Sequence, residues 1–167
     1  MSIKNLALVG ILAFAGVLMA RAQTSECQLC GTWVLLDRID RTAAGQALDE
    51  PNLGADAIGI IVYDRAGNVS VQLMKRHRTD TTAAPQATQI TNNSAATGGY
   101  DAYFGKYEVD TKAHTVTHHL IGAIALADIG KSLTRSYEFV GGELRLSFET
   151  TNNGVPVRRT LRFRRAA

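Results

Sequence analysis

The stretch Tyr100-Asp-Ala-Tyr-Phe-Gly-Lys-Tyr107, continued after a turn by Thr115-Val-Thr-His-His119, decides the fold. Val116, His118 and Leu120 fall on one face of its second part, and Thr115, Thr117 and His119 on the other. That alternation is the period of a half-buried strand. Asp110-Thr-Lys-Ala113 supplies a turn between 106–109 and 114–121, so the two segments read as an antiparallel hairpin. Residues 100–104 read as one short helical turn ahead of it. A histidine stands on the apolar face, where a β core usually holds an aliphatic side chain.

The same reading extends outward in both directions. Residues 31–39 open the fold as a strand, and a Gly/Ala/Asp-rich connection with Pro51 occupies 42–56. Strands at 58–63 and 69–74 flank Asp64-Arg-Ala-Gly-Asn68, where Gly67 and Asn68 tolerate positive φ. Residues 122–131 read as a loop with helical character at 124–127. Strands at 133–140 and 143–149 meet across Gly141-Gly142, and Asn152-Asn-Gly154 turns into a last strand at 157–164. Residues 79–99 are rich in Thr, Ala, Asn and Gln without periodicity, as in a lid or a mobile segment. About eight strands and no long helical pattern predict an all-β chain, an antiparallel up-and-down barrel.

Alternation also assigns faces. Leu133, Arg135, Tyr137 and Phe139 share one, as do Leu144, Leu146 and Phe148, and Leu161 and Phe163. If these apolar sets point inward, His118 and Arg135 point inward with them. Gln72 and Met74 lie opposite Val69, Val71 and Leu73, and alternation does not say which set is inner.

Residues 1–22 carry the pattern of a secretory signal: Lys4, an apolar run from Leu6 to Met19, and Ala20-Arg21-Ala22 as a cleavage site. The run is shorter than the roughly 20 residues a membrane span needs. The expected mature chain, 23–167, is one domain, periplasmic or secreted, with no retained span. Loss of Lys4 and Arg21 leaves 16 of 18 basic residues against 15 acidic ones, so the mature charge is near neutral. Arg158, Arg159, Arg162, Arg164 and Arg165 alternate with Thr160, Leu161 and Phe163 and read as a strand decorated with solvated or edge-facing charges, not a nucleic-acid patch. Cys27 and Cys30 follow the cleavage site, and an oxidising compartment favours a disulfide between them. A thioredoxin-like pair needs a following helix in a βαβ unit, and a strand follows here.

An arginine in an apolar barrel needs a partner, water or a ligand. Arg135 therefore faces a buried acid, stacks on an aromatic ring, or anchors a polar head group. His118 is either a core histidine satisfied by a hydroxyl or carbonyl, or a donor or base lining a cavity. His114, His118 and His119 are close in sequence, but pleating sends His118 and His119 to opposite faces. No metal site is expected. Tyr63, Tyr103 and Tyr107 are barrel filler or amphipathic pocket lining. Phosphate loops, nucleophile elbows, paired-carboxylate motifs and metalloprotease helices are absent from the sequence, so no cofactor is expected.

Several of these stretches occur together in one known family. Gly31-Thr-Trp33 is similar to the Gly-x-Trp start of lipocalins. Ile60-Ile-Val-Tyr63-Asp-x-x-Gly67-Asn-Val-Ser70-Val-Gln72-Leu-Met74, Tyr100-x-Ala-Tyr-Phe-Gly105-x-Tyr107, Val116-Thr-His118-His119 and Arg135 resemble the lipocalin-like domain family of bacteria and fungi. The resemblance runs from about Leu29 to Arg164 and implies a calycin-type barrel with a central cavity. An export signal and the Cys27/Cys30 pair are this chain's departures from it. The expected function is binding of a small hydrophobic or amphipathic molecule. His118 and Arg135, with Tyr103 or Tyr107, would hold its polar end, and Trp33, Tyr63 and Tyr137 complete the candidate ligand-binding set. A cofactor-free isomerase or cyclase using the same interior is the alternative. A protein-binding or inhibitor module, using 79–99 and the exposed arginines, is a third reading. No second titratable partner for catalysis is evident, so binding ranks first.

Overall fold

The computed structural model describes residues 27–50, 52–78 and 98–167. The expected signal peptide and most of the expected lid, 79–97, lie outside the described residues. In chain order the strands are β1 (Gly31–Arg41), β2 (Ala47–Leu48), β3 (Ile58–Tyr63), β4 (Asn68–Met74), β5 (Tyr100–Asp110), β6 (Thr115–Ala123), β7 (Ser132–Val140), β8 (Glu143–Asn152) and β9 (Val155–Arg165). From β3 to β9 each strand pairs antiparallel with the next. β1 pairs with both β3 and β9 and closes the ring. The two-residue β2 adds a flap on the end of β1 through Asp40↔Leu48. The result is the expected all-β up-and-down barrel, with eight long strands and no exposed edge on β1 or β9.

Two local expectations change. Residues 100–104 are not a helical turn. They begin β5, paired to β4 from Met74↔Tyr100 to Val71↔Tyr103, because a ladder of tertiary hydrogen bonds outweighs weak local preference. The helical character of the 122–131 loop is confined to a three-residue 3-10 turn, Leu126–Asp128.

The inner wall carries Trp33, Leu35, Ile61, Tyr63, Val69, Val71, Leu73, Tyr103, Val116, Leu120, Leu144, Leu146, Leu161 and Phe163, all buried in one apolar cluster. The question left open on β4 is thereby answered, with Val69, Val71 and Leu73 inside. Leu29 and the segment holding Leu53 and Ala57 pack against the same cluster from outside the strands. The Trp33 indole N–H donates to the Leu29 carbonyl at 2.7 Å, which ties the 27–30 turn to β1.

Two irregularities shape the barrel. The register of β1 against β9 shifts between Leu35 and Asp37, so Leu36 is an extra residue. A bulge of this kind inverts the pleat beyond it. Trp33 and Leu35 therefore point inward before it, and Arg38 and Asp40 after it. β5 and β6 slip likewise between Phe104 and Gly105, leaving Ile121 extruded and exposed. Here Gly105 is required, since a Cβ on it would collide with the backbone carbonyl of His119. Gly122 lies under the Phe104 ring, which covers the backbone that glycine leaves bare.

Where β1 finishes and β9 begins, the inner wall turns from apolar to ionic. Arg159 grips Asp40 with two hydrogen bonds, Nε to Oδ1 at 2.6 Å and Nη2 to Oδ2 at 2.7 Å. Asn152 donates to Asp40 at 3.0 Å and to the Asp49 carbonyl at 2.8 Å. Glu50 accepts from the Leu53 amide at 2.7 Å while lying 3.4 Å from Arg38 and 3.5 Å from Arg159. Burial, and then repulsion from Arg159, lowers the Arg38 pKa to about 10, still charged at neutral pH. This cluster fastens β1, β8 and β9 to the 49–54 segment. It corrects the reading of β9: Arg159 is fully buried, β9 is not an edge, and Arg158 and Arg162 pair with Glu149 and with Asp37 and Glu143 on the outer wall.

Candidate functional site

β3, β5 and β6 each place one polar side chain on the inner wall at a common level. His118 is fully buried, and both its ring nitrogens are engaged. Nε2 lies 2.8 Å from the Tyr63 hydroxyl and Nδ1 lies 2.8 Å from the Tyr103 hydroxyl. Tyr63 ends β3, Tyr103 lies on β5 opposite Val71, and His118 lies on β6 opposite Tyr107. The chain Tyr63–His118–Tyr103 is thus a chord across three strands.

Its electrostatics favour three neutral groups. Burial, and then the nearby Arg135 charge, pushes the His118 pKa well below 6.5. Burial raises the Tyr63 hydroxyl well above 10 and the Tyr103 hydroxyl to about 12, although Arg135 opposes both shifts. A neutral imidazole supplies one donor and one acceptor. The two tyrosines and the imidazole therefore hold three protons for two hydrogen bonds, and one hydroxyl proton is surplus.

Arg135 enters from β7, opposite Val116, and is only 5% exposed. One guanidinium nitrogen donates to the Leu133 carbonyl at 3.2 Å. The group lies 5.0 Å from the centre of the Phe148 ring and 5.9 Å from that of Tyr103. Of the alternatives open from sequence, the aromatic contact is present, and no carboxylate pairs with Arg135 among the described residues. A desolvated cation–π contact returns about 2 kcal/mol, against several for burying a guanidinium. Phe148, the ring nearer this cation, is itself half-buried.

The other candidate residues lie around this group. The Tyr107 ring packs edge-on against Tyr63 with centroids 4.9 Å apart. Its hydroxyl points away, donating to the Asp64 carbonyl at 2.9 Å and touching Cys27 Sγ at 3.3 Å. Trp33 lies further along the wall beside Phe139, with the Arg165 guanidinium 4.3 Å from its ring centre. Tyr137 packs between His114 and Phe139. Tyr63, Tyr103, His118 and Arg135 are brought together, whereas Trp33, Tyr137 and the Tyr107 hydroxyl are not. Cys27 and Cys30 form the expected disulfide. Its presence is compatible with an extracellular location, and among the described residues no helix is long and apolar enough to cross a membrane. No group of three or more metal-ligating side chains occurs among the described residues.

The rings of Tyr63 and Tyr103 pack beside the imidazole of His118, with centroids 5.5 and 5.8 Å from it. A cleft of about 590 Å3 lies beside the disulfide, lined by Trp33, Phe139, Arg65 and Arg165. A groove of about 830 Å3 runs over the outer wall past Arg41, Arg145, Arg158 and Arg162.

Sequence reasoning did not single out Arg38, Asp40, Glu50 or Asp101, all buried. The missed inner Arg159 had a signal, since it is in phase with Leu161 and Phe163 on β9.

A closed antiparallel barrel with polar groups set on its inner wall is a calycin-type architecture, which suggests ligand binding in general. The chain belongs to the lipocalin-like domain family, whose sequence model matches residues 30–166. No curated protein matches the sequence.

One consequence of the buried imidazole is measurable. Below pH 6.5 an unfolded histidine takes up a proton that folded His118 refuses. Its contribution is therefore complete above the unfolded pKa, and stability falls as the pH drops below it. The slope is at most about 1.4 kcal/mol per pH unit, down to the lowered folded pKa. Urea unfolding from pH 7 to pH 5 is expected to show this slope in the native chain and a shallower one in His118→Gln. Parallel curves would mean that the imidazole is hydrated.

Proposed function

We propose that the protein is an exported binding module for a small, largely apolar molecule with one polar end, held against the inner wall at Tyr103, His118 and Arg135. The observation that carries this reading is the buried Arg135 guanidinium without an anionic partner among the described residues. Leaving such a charge unpaired costs folding energy that a purely structural residue would not need to forgo. Export is supported by the signal pattern of residues 1–22 and by the Cys27–Cys30 disulfide. Entry of a ligand requires the rings over Arg135 to part, and half-buried Phe148 offers the least packed side.

The isomerase alternative asks His118 to exchange a proton near neutral pH. Its depressed pKa and the raised tyrosine values oppose that role, since efficient acid–base groups titrate near the working pH. The outer groove of about 830 Å3 favours a second reading, a protein-binding surface. Four of its charges, Arg145, Arg158, Arg162 and Glu138, are already engaged in ion pairs, which weakens it.

Titration of the delipidated protein with amphipathic fluorophores tests the proposal. Saturable binding of one molecule per chain, weakened in His118→Ala, is the expected result. Absence of saturable binding across a panel of chain lengths would end this reading.

A further inference from the structure

Resting on that reading, we infer that the polar end of the ligand is an acceptor-only oxyanion of carboxylate size, held between the Arg135 guanidinium and the hydroxyl proton of Tyr103. Two independent features of the inner wall converge on this chemistry. The first is the proton count along Tyr63–His118–Tyr103. Two hydrogen bonds at 2.8 Å consume two of three protons, and neither tyrosine hydroxyl has another acceptor among the described residues. A buried O–H without an acceptor is costly, and the group that relieves it must accept. The second is the guanidinium of Arg135, which has five N–H donors and one carbonyl acceptor among the described residues.

Both features ask for the same partner. The unspent hydrogens are the guanidinium N–H groups and one hydroxyl proton, so an alcohol gains less than a carboxylate, and an ammonium head group meets a like charge. Arg135 lies 5.9 Å from the Tyr103 ring centre, and of the two tyrosines bonded to His118 it is Tyr103 whose ring it contacts. With the Tyr103 proton given to the ligand, the Tyr103 oxygen must accept from Nδ1–H of His118. Nε2 then accepts from Tyr63. The bound state therefore has one defined imidazole tautomer, protonated at Nδ1.

No bond to carbon is made or broken, and no proton leaves the chain of three residues except to be shared with the ligand oxygen. The imidazole acts as a positioning residue: it directs a neutral hydroxyl proton toward the anion and remains uncharged while doing so.

The test compares four probes of one chain length: myristate, methyl myristate, myristyl alcohol and tetradecylamine. Affinities are followed through the single tryptophan, Trp33, and by calorimetry. Myristate is expected to bind roughly ten- to a hundredfold more tightly than the ester or the alcohol, the usual range for hydrogen bonds to a charged group. Arg135→Met and, independently, Tyr103→Phe are expected to reduce that preference by weakening myristate more than the ester. Nitrogen NMR of His118 is expected to move to the Nδ1–H tautomer on adding myristate and not on adding the ester. Equal affinities for myristate and its ester, or a preference unchanged in Arg135→Met, would overturn the inference and leave the binding reading standing. Failure of every probe to bind would overturn both.

Discussion

Replacing Asp40 with alanine is expected to cost about 3–5 kcal/mol of folding stability, the range measured when one member of a buried ion pair is removed. Asp40 and Arg159 are both inaccessible to water. The carboxylate receives two guanidinium hydrogen bonds, at 2.6 and 2.7 Å, and a third from Asn152. Removing it takes away the bidentate partner of the buried Arg159 guanidinium, which already repels a second buried guanidinium at Arg38. It also removes the Asp40 acceptor of one Asn152 hydrogen bond, leaving the amide held, among the described residues, only by the Asp49 carbonyl. The exposed pair Arg158–Glu149, 3.0 Å apart on the outer wall, is the control, and Arg158→Ala is expected to change stability by under about 1 kcal/mol. Urea unfolding of the two variants separates the cases. A loss below about 1 kcal/mol in Asp40→Ala would mean that water reaches the cluster.

Arg135→Met is expected to have the opposite sign, raising stability by about 1–3 kcal/mol while removing the head-group anchor. Replacing all the members of a buried ion pair or triad by apolar side chains is often neutral or stabilising by about 1–4 kcal/mol, and Arg135→Met likewise leaves no carboxylate unpaired among the described residues. The cation–π contacts with Phe148 and Tyr103 that would be lost are worth about 2 kcal/mol when desolvated, and methionine sulfur regains part of that against the same rings. A single substitution that gains stability and loses binding is the signature of a residue kept for its ligand. Chemical denaturation and probe titration on the same sample read both effects. A variant destabilised by more than about 1 kcal/mol would give Arg135 a structural role and remove the main support for a binding site at this position.

These opposite signs follow from one difference in surroundings, which sequence alone reveals only in part. Arg135 and Arg159 both alternate in phase with apolar neighbours on their strands. The phase of Arg135 with Leu133 and Tyr137 led to its inward placement, whereas the dense arginines around Arg159 read as an outer face. What separates an anchored cation from an open one is the acid opposite it, and Asp40 lies 119 residues away in sequence. Asp40 was illegible for a further reason. Strict alternation from Trp33 and Leu35 sets Asp37 and Ile39 inside, and the bulge at Leu36 reverses that order. Asp101 was hidden by the helical reading of residues 100–104, which pairing with β4 overrides.

Period-two apolar patterning and the turn residues Gly67-Asn68 and Gly141-Gly142 determined the strands, their antiparallel order and the inward side of β6 and β7, because pleat and tight-turn geometry are local properties of the chain. Two cysteines three apart behind an export signal favoured a disulfide, and the structure pairs them. Only the tertiary structure decided where the bulges fall, which charges find partners, and that His118 is held by two tyrosines from other strands. Those outcomes depend on register between segments distant in sequence, and a shift of one residue in register exchanges the inside of a barrel for its outside.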